Sequence, residues 1–453
     1  MTQYEKMIKT PVPKLILTLS VPTMISMLVT NIYNLVDTAF VGKLGTSASG
    51  AVGIVFGFMS VIQAFGFMFG QGSGSMIARL LGKRDNEQAS VHATLGFTAS
   101  FICGITILLI GITNLDAIIA LLGSTPTITP YAKSYITYIL FAAPFMASSF
   151  TMNNILRYEG RAMLGMVGLM TGAVLNMTCD PIFMFALDMG IGGAGLSTAL
   201  SQLVSFAILL SMFLTGKTAT ELRPKYLKKC SLGMLANIMA TGFPSLLRQG
   251  LNSFTTVLLN SCCAFYGDAA VAAMSIVSRI AFFSFSVALG IGQGFQPVSG
   301  FNYGAGKYSR LRKAFGFTAA ASECIIIVGS SILCIFAPRL IGIFRDDPQV
   351  IEIGVRALRL QAIAQLFLPL CMVIEMMFQS TGKRLGATIM SSLRSGVIFI
   401  PALLILSGLR GLAGIQEAQP LALILSFPIS VPFGIMFFRC LPKEDAPDKE
   451  YKD

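Results

Sequence analysis

Apolar residues come in blocks of about 20 along this chain, and that spacing constrains its fold more than any other feature. A helix rises about 1.5 Å per residue, so about 20 residues cross the roughly 30 Å hydrocarbon core of a bilayer. Twelve spans are expected, at about 15–40, 50–76, 91–113, 131–155, 164–187, 191–215, 237–264, 270–298, 315–337, 350–378, 388–407 and 418–438. Only 12% of the 453 residues are charged, where a soluble chain carries about 25%. A β-barrel would show ten-residue segments of alternating polarity, and none occurs. The expected fold class is an all-α membrane protein. The first block has no small-residue cleavage site, so it reads as a retained span.

The net charge of +12 is explained by topology. Basic residues precede span 1 (Lys6, Lys9, Lys14) and follow spans 2, 4, 6, 8, 10 and 12, the last group including Lys449 and Lys452. These positions hold 23 of the 33 basic residues, all on one side of the membrane. The positive-inside rule makes that side cytoplasmic, with both termini inside. A nucleic-acid partner would need a basic soluble module, which is absent. The nine cysteines form no CxxC pair and read as apolar fillers, and the single histidine, His92, has no metal partner in the sequence. No cofactor is expected.

Shifting the chain by 222 residues aligns Pro22 with Pro244, Gly45 with Gly267, Gly70-Gln71-Gly72 with Gly292-Gln293-Gly294, Gly82 with Gly304 and Gly160 with Gly382. Six spans per half is even, so the halves share one orientation, the parallel-repeat plan of some secondary transporters. The expected lobes are 1–216 (spans 1–6) and 232–453 (spans 7–12), joined by a basic cytoplasmic linker at 217–231.

Carboxylates inside spans are costly, about 2.5–3.5 kcal/mol each near mid-membrane, and are functional candidates. Asp37 lies late in span 1 and Asp180 late in span 5, both of which run outward; Thr198 lies early in span 6, which runs back. The three therefore reach similar depth in the outer half of the first lobe. Asn176 is one turn before Asp180, and Ala194 one turn before Thr198, each pair sharing a helix face. Oxygen-rich groups of this kind suit a hard cation such as Na⁺ at Asp37, Asn176, Asp180 and Thr198. Two neighbouring carboxylates equally suit a proton. Pro181 removes a backbone donor beside Asp180 and favours a bend there. Pro22 gives span 1 a similar weak point, so Pro22 and Pro181 are candidate hinges. Asn154, near the inner end of span 4, is a further cation candidate. At the 222 offset Asp37 meets Leu259, Asn176 meets Ile398 and Asp180 meets Ala402, so the acids are not repeated. The second lobe carries Arg248, Glu323, Glu375 and Arg394 in its inner half instead, read as an ion-pair network or a gate.

Several stretches resemble the MATE (multidrug and toxic compound extrusion) family. They are NIYNLVDTAFVGKLG (31–45), FGQGSGSMIARLLGKRD (69–85), NMTCDP (176–181), GIGGAGLSTALSQ (190–202) and GIGQGFQPVSGFNYGAGK (290–307). Their order and spacing cover nearly the whole chain and are most similar to the bacterial drug-exporting branch. The resemblance implies the two-lobed MATE fold in a bacterial cytoplasmic membrane. It implies export of cationic, amphipathic compounds by alternating access, driven by H⁺ or Na⁺. It also implies that Asp37 and Asp180 are the coupling acids, with Asn176, Ala194 and Thr198 beside them. Some branches carry an essential acid on span 7; here no Asp or Glu occurs from Leu222 to Gly267. A monomer surrounded by lipid is expected.

The nearest alternative is a flippase for lipid-linked glycans with the same plan, which favours a cationic cavity; Arg248, Arg279 and Arg394 keep it open. An intramembrane enzyme would need a motif such as HExxH or a nucleotide loop, and none is present. A channel filter would need a repeated ring of charge, and the acids sit in one lobe only.

Overall fold

A peptide group in hydrocarbon must bond within its own segment, which makes the helix the default element. The computed structural model describes residues 3–447, and among them there is no strand. Lys449 and Lys452 lie outside these residues. Twelve long helical rods account for the expected spans: α1 (Val12–Gly42), α2 (Thr46–Gly82), α3 (Asn86–Thr113), α4 (Thr129–Tyr158), α5 (Ala162–Ala186), α6 (Gly190–Leu214), α7 (Leu232–Ala264), α8 (Asp268–Gly304), α9 (Tyr308–Phe344), α10 (Pro348–Ser380), α11 (Arg384–Arg410) and α12 (Leu412–Cys440). Eleven are both long and apolar enough to cross a membrane. The exception is α7, which has the length, at 33 residues, but carries Asn237, Arg248, Gln249, Asn252 and Asn260 along it.

The repeat extends to the ends of the helices. At the offset of 222, α2 becomes α8 residue for residue, both 37 long. The last residues of α1 and α4 likewise fall on those of α7 and α10. Gly45 and Gly267 open α2 and α8 at φ 112° and 89°, a left-handed turn that a side chain disfavours. The two halves therefore repeat one six-helix plan, and the glycines matched between them punctuate it.

By packing, the chain forms two units, Ile25–Gln249, and Met1–Met24 with Gly250–Asp453. The division falls inside α1 and α7, just past the matched prolines Pro22 and Pro244, and not at the 217–231 linker. In the first unit the early part of α7 crosses α2 at the GQG stretch. A β-carbon on Gly72 would lie 2.1 Å from the Ile238 carbonyl oxygen, so only glycine allows the crossing. Ser245 Oγ donates to Gln71 Oε1 at 2.9 Å in the same crossing. In the second unit the early part of α1 crosses α8 in the same way, with Gly294 against Ser20. Through Pro22 itself α1 stays helical. Pro181 ends the α-helical part of α5, which continues as a π turn at Ile182–Ala186.

The linker is pinned to its own unit by Glu159, which is buried just past α4. Its carboxylate accepts from the Ala219 and Thr220 amides at 2.8 and 3.1 Å, and from the Thr220 hydroxyl. Arg161 Nη1 donates to the Lys217 carbonyl at 2.6 Å.

Two predictions follow from this packing. Gly72→Ala should lower stability by about 1–3 kcal/mol, because the added methyl meets backbone and not a movable side chain. Gly57→Ala, where the methyl meets open space, should be neutral or stabilising. Thermal melts of the two variants in detergent compare them directly; equal melting points contradict the crossing. The second concerns pH. Burial pushes the Glu159 carboxyl up from 4.5 to about 7, against the pull of its amide and hydroxyl donors. Between those values the folded chain holds a proton that the unfolded chain has released, so this group's contribution to stability falls as pH rises. It is fully present below 4.5 and gone above about 7, at up to about 1.4 kcal/mol per pH unit. Relative to Glu159→Gln, the wild type should lose melting temperature across that window; parallel curves contradict the prediction.

Candidate functional site

Three helices of the Ile25–Gln249 unit bring the oxygen-rich residues together. Asp37 comes from α1, Asn176 and Asp180 from α5, and Ser197 and Thr198 from α6. All five are buried, Asp180 with 0% exposure and Asp37 with 8%. One helical turn separates Asn176 from Asp180, so the amide reaches along its own helix. Asn176 Nδ2 lies 3.2 Å from Asp180 Oδ1, 3.2 Å from Ser197 Oγ and 3.3 Å from Thr198 Oγ1. Ser197 Oγ donates back to the Asn176 carbonyl at 3.2 Å. The amide thus ties α5 to α6.

Asp37 and Asp180 are close neighbours in this cluster. A hydrogen bond between them can form only when one carboxyl carries a proton, since two carboxylates are both acceptors. In the doubly ionised form Asp37 Oδ1 and Asp180 Oδ2 are buried oxygens with no donor among the described residues; Asn176 Oδ1 is a third. Orphaned oxygens of this kind are rare in a folded interior and call for a cation, a proton or water. A cavity of about 30 Å³ lies beside them, lined by Thr30, Tyr33, Asn176, Thr198, Ser201 and Ser205, with room for about one or two waters.

The other expected residues are placed apart from this cluster or at its edge. Ala194 is fully buried among apolar neighbours that include Met184, and packs the start of α6. Asn154 lies elsewhere: its amide donates to the Phe150 carbonyl at 2.7 Å and its oxygen accepts from Arg157. Arg248 belongs to the Ile25–Gln249 unit, whereas Glu323, Glu375 and Arg394 belong to the other. Glu375 is buried, Glu323 half-buried, and the Arg394 guanidinium lies 5.2 Å over the Phe285 ring.

Ser197 and Tyr135 escaped the sequence reading. Ser197 was legible as the neighbour of Thr198 on a helix that faces α5. Tyr135, whose hydroxyl points to Met59 Sδ at 4.0 Å and which neighbours Thr198, carries no signal in α4 that separates it from a core tyrosine. Tyr33 was accessible in principle, being one turn before Asp37 on the same face.

Comparison with known proteins bears on the family and the fold. The MatE family model matches residues 22–182 and again 244–405, so its two matches begin at the offset of the repeat. Multidrug export protein MepA of Staphylococcus aureus (strain NCTC 8325 / PS 47) is 28% identical over 408 residues, 90% of each chain. MepA of Staphylococcus saprophyticus is 29% identical over 397 residues, 87% of each chain. Among solved structures, a multidrug resistance MATE family transporter in its outward-facing conformation superposes with a TM-score of 0.92 at 27% identity. The superposition spans 98% of this chain and 100% of that one. A MATE in the bent conformation gives 0.90 over 97% and 98%, also at 27% identity. A twofold match to one family model, on a chain whose helices repeat at that same interval, shows that this protein belongs to the MATE family of transporters.

Proposed function

We propose that this protein is an ion-coupled multidrug exporter, which exchanges H⁺ or Na⁺ for cationic amphipathic compounds by alternating access. In this reading it is a monomer in the bacterial cytoplasmic membrane with both termini inside. Its lobes are 1–216 and 232–453, joined by the 217–231 linker. The observation that carries the proposal is the buried carboxyl pair of Asp37 and Asp180, with the orphaned oxygens around it.

The chemistry of the pair suits coupling. Emptied of its ion, the site confronts two carboxylates across a short gap in low dielectric, and they repel. A proton shared between Asp37 and Asp180, or a cation held by both, removes the repulsion and draws α1 towards α5 and α6. The Asn176 amide has a matching choice. With Nδ2 turned to Asp180 it serves a carboxylate; rotated by half a turn it offers Oδ1 to Na⁺, with Thr198 Oγ1 alongside. Pro22 and Pro181 are the places where α1 and α5 give way as the gap changes. An ion that closes the gap competes with a drug for the same negative charge. The driving force is sufficient, since one charge crossing 100 mV gains about 2.3 kcal/mol, roughly a 50-fold gradient of substrate.

Two experiments test this. Asp180→Asn should lose at least about tenfold in dye efflux while expressing and melting like the wild type, because an amide cannot exchange the coupling proton and weakens a cation site. Efflux from proteoliposomes, with a proton or a sodium gradient imposed separately, measures the loss and identifies the ion; full efflux by a folded variant refutes the assignment. The ion and the drug should also weaken each other's binding by one and the same factor, as linkage demands. Titrating a fluorescent cationic drug across pH, with and without Na⁺, gives that factor. An affinity indifferent to both would leave the acids a structural role only.

A further inference from the structure

We propose that the second packing unit carries a ligand site of opposite polarity, a cavity that takes the carboxylate of a small aromatic acid bearing a hydroxyl or amino group. The cavity has a volume of about 200 Å³. It is lined by Asn252 of α7, Phe285 of α8, Gln361 and Gln365 of α10, and Arg394 and Ser395 of α11, among others. All of these lie within Gly250–Asp453.

Its position follows from the repeat. At the offset of 222, Asn252 corresponds to Thr30, Thr255 to Tyr33, Leu259 to Asp37, Gln419 to Ser197 and Leu423 to Ser201. The cavity is thus the second half's copy of the acid site. Both halves keep a hollow at these positions, and the charged residues in and beside it differ. Leu259 stands where Asp37 would, and Arg394 stands where the first half has Gly172. Among the lining residues Arg394 alone is charged. A cation facing a low-dielectric hollow selects for an anion.

The walls are built as a site. Two of the rods break their regular helix here: α10 turns 3-10 at Gln365–Phe367, and α11 makes a π turn at Leu393–Val397, which aims both Arg394 and Ser395. Interruptions of this kind recur at functional sites. Gln365 is 2% exposed; its Nε2 donates to the Ala281 carbonyl at 3.2 Å, and its Oε1 is buried without a donor among the described residues. That oxygen asks for an N–H or O–H from a ligand. Ser395 Oγ donates to Asn252 Oδ1 at 2.7 Å, which turns the Asn252 amide nitrogen into a further donor for an oxyanion. Arg394 makes other contacts within the protein, and a guanidinium has five N–H groups to share among its partners. The Phe285 ring under the guanidinium gives an aromatic ligand an apolar face to stack on. At about 200 Å³ the hollow is below the usual range for drug-sized molecules and suits one or two fused rings.

The inference is independent of ion coupling at the acid pair, and the test separates them. Binding of fluorescent 3-hydroxy-2-naphthoate to the full chain in detergent is compared with that of its methyl ester; the chain has no tryptophan to interfere. The acid should bind at least about tenfold tighter than the ester, the worth of one charge-assisted fork. Arg394→Gln should abolish that preference, Arg394→Lys should restore part of it, and Asp180→Asn should leave it unchanged. Gln365→Leu should weaken binding of the hydroxy acid but not of plain 2-naphthoate. Equal affinity of wild type for acid and ester overturns the proposal whatever the variants do. So does an Arg394→Gln protein that binds the acid like the wild type, or a Gln365→Leu loss shared by both acids.

Discussion

Each peptide N–H or C=O left bare in hydrocarbon costs several kcal/mol, and the architecture of this protein is first of all an answer to that cost. Twelve rods close their own hydrogen bonds, and many of their hydroxyl side chains bond back to a carbonyl of the same helix. The exceptions locate the chemistry. Regular helix gives way at Ile182–Ala186, next to Asp180 and Pro181. It gives way again at Leu393–Val397, where Arg394 and Ser395 sit, and at Gln365–Phe367. In each case a buried polar side chain lies at or beside the break. Backbone irregularity and side-chain polarity concentrate together because each needs what the other provides, a space that is not hydrocarbon.

Duplication supplied the scaffold twice and the chemistry differently in each copy. Several helix ends, the turn glycines and the GQG crossings recur at one interval because they set how closely backbones approach, a geometric demand that penalises an added side chain. Gly72 against Ile238 and Gly294 against Ser20 are the same solution in two units. The residues in and beside the hollows meet no such demand. There the first copy holds Asp37 and the second Leu259, while the first holds Gly172 and the second Arg394. Side chains around a hollow can thus change while the fold that carries it stays the same.

The acid site was legible in the sequence to an unusual degree. Asp37, Asn176, Asp180 and Thr198 were found from depth along a span and from the one-turn spacing of a helix, both of which are local arithmetic. Ala194 shares that spacing but packs against apolar neighbours, since a helix face names neighbours without saying what lies opposite. Asn154 failed to join the cluster because its amide is satisfied within its own helix, by Phe150 and Arg157. Arg248 looked like a companion of Glu375 and Arg394 by depth alone. The structure places it in the other packing unit, because α7 changes unit between Gln249 and Gly250.

By itself the sequence determined the membrane class, the rods, the repeat and the level at which the two carboxyls lie. These depend on hydropathy, helical rise and residue spacing, which act over one or two turns. Only the tertiary structure decided which faces meet. It joined Ser197 and Thr198 to Asn176, divided α1 and α7 between units, and gathered five helices around a hollow with Arg394 as its charge. Such contacts join residues far apart in the chain. They are fixed by how the helices pack against one another, which no single helix's composition or period records.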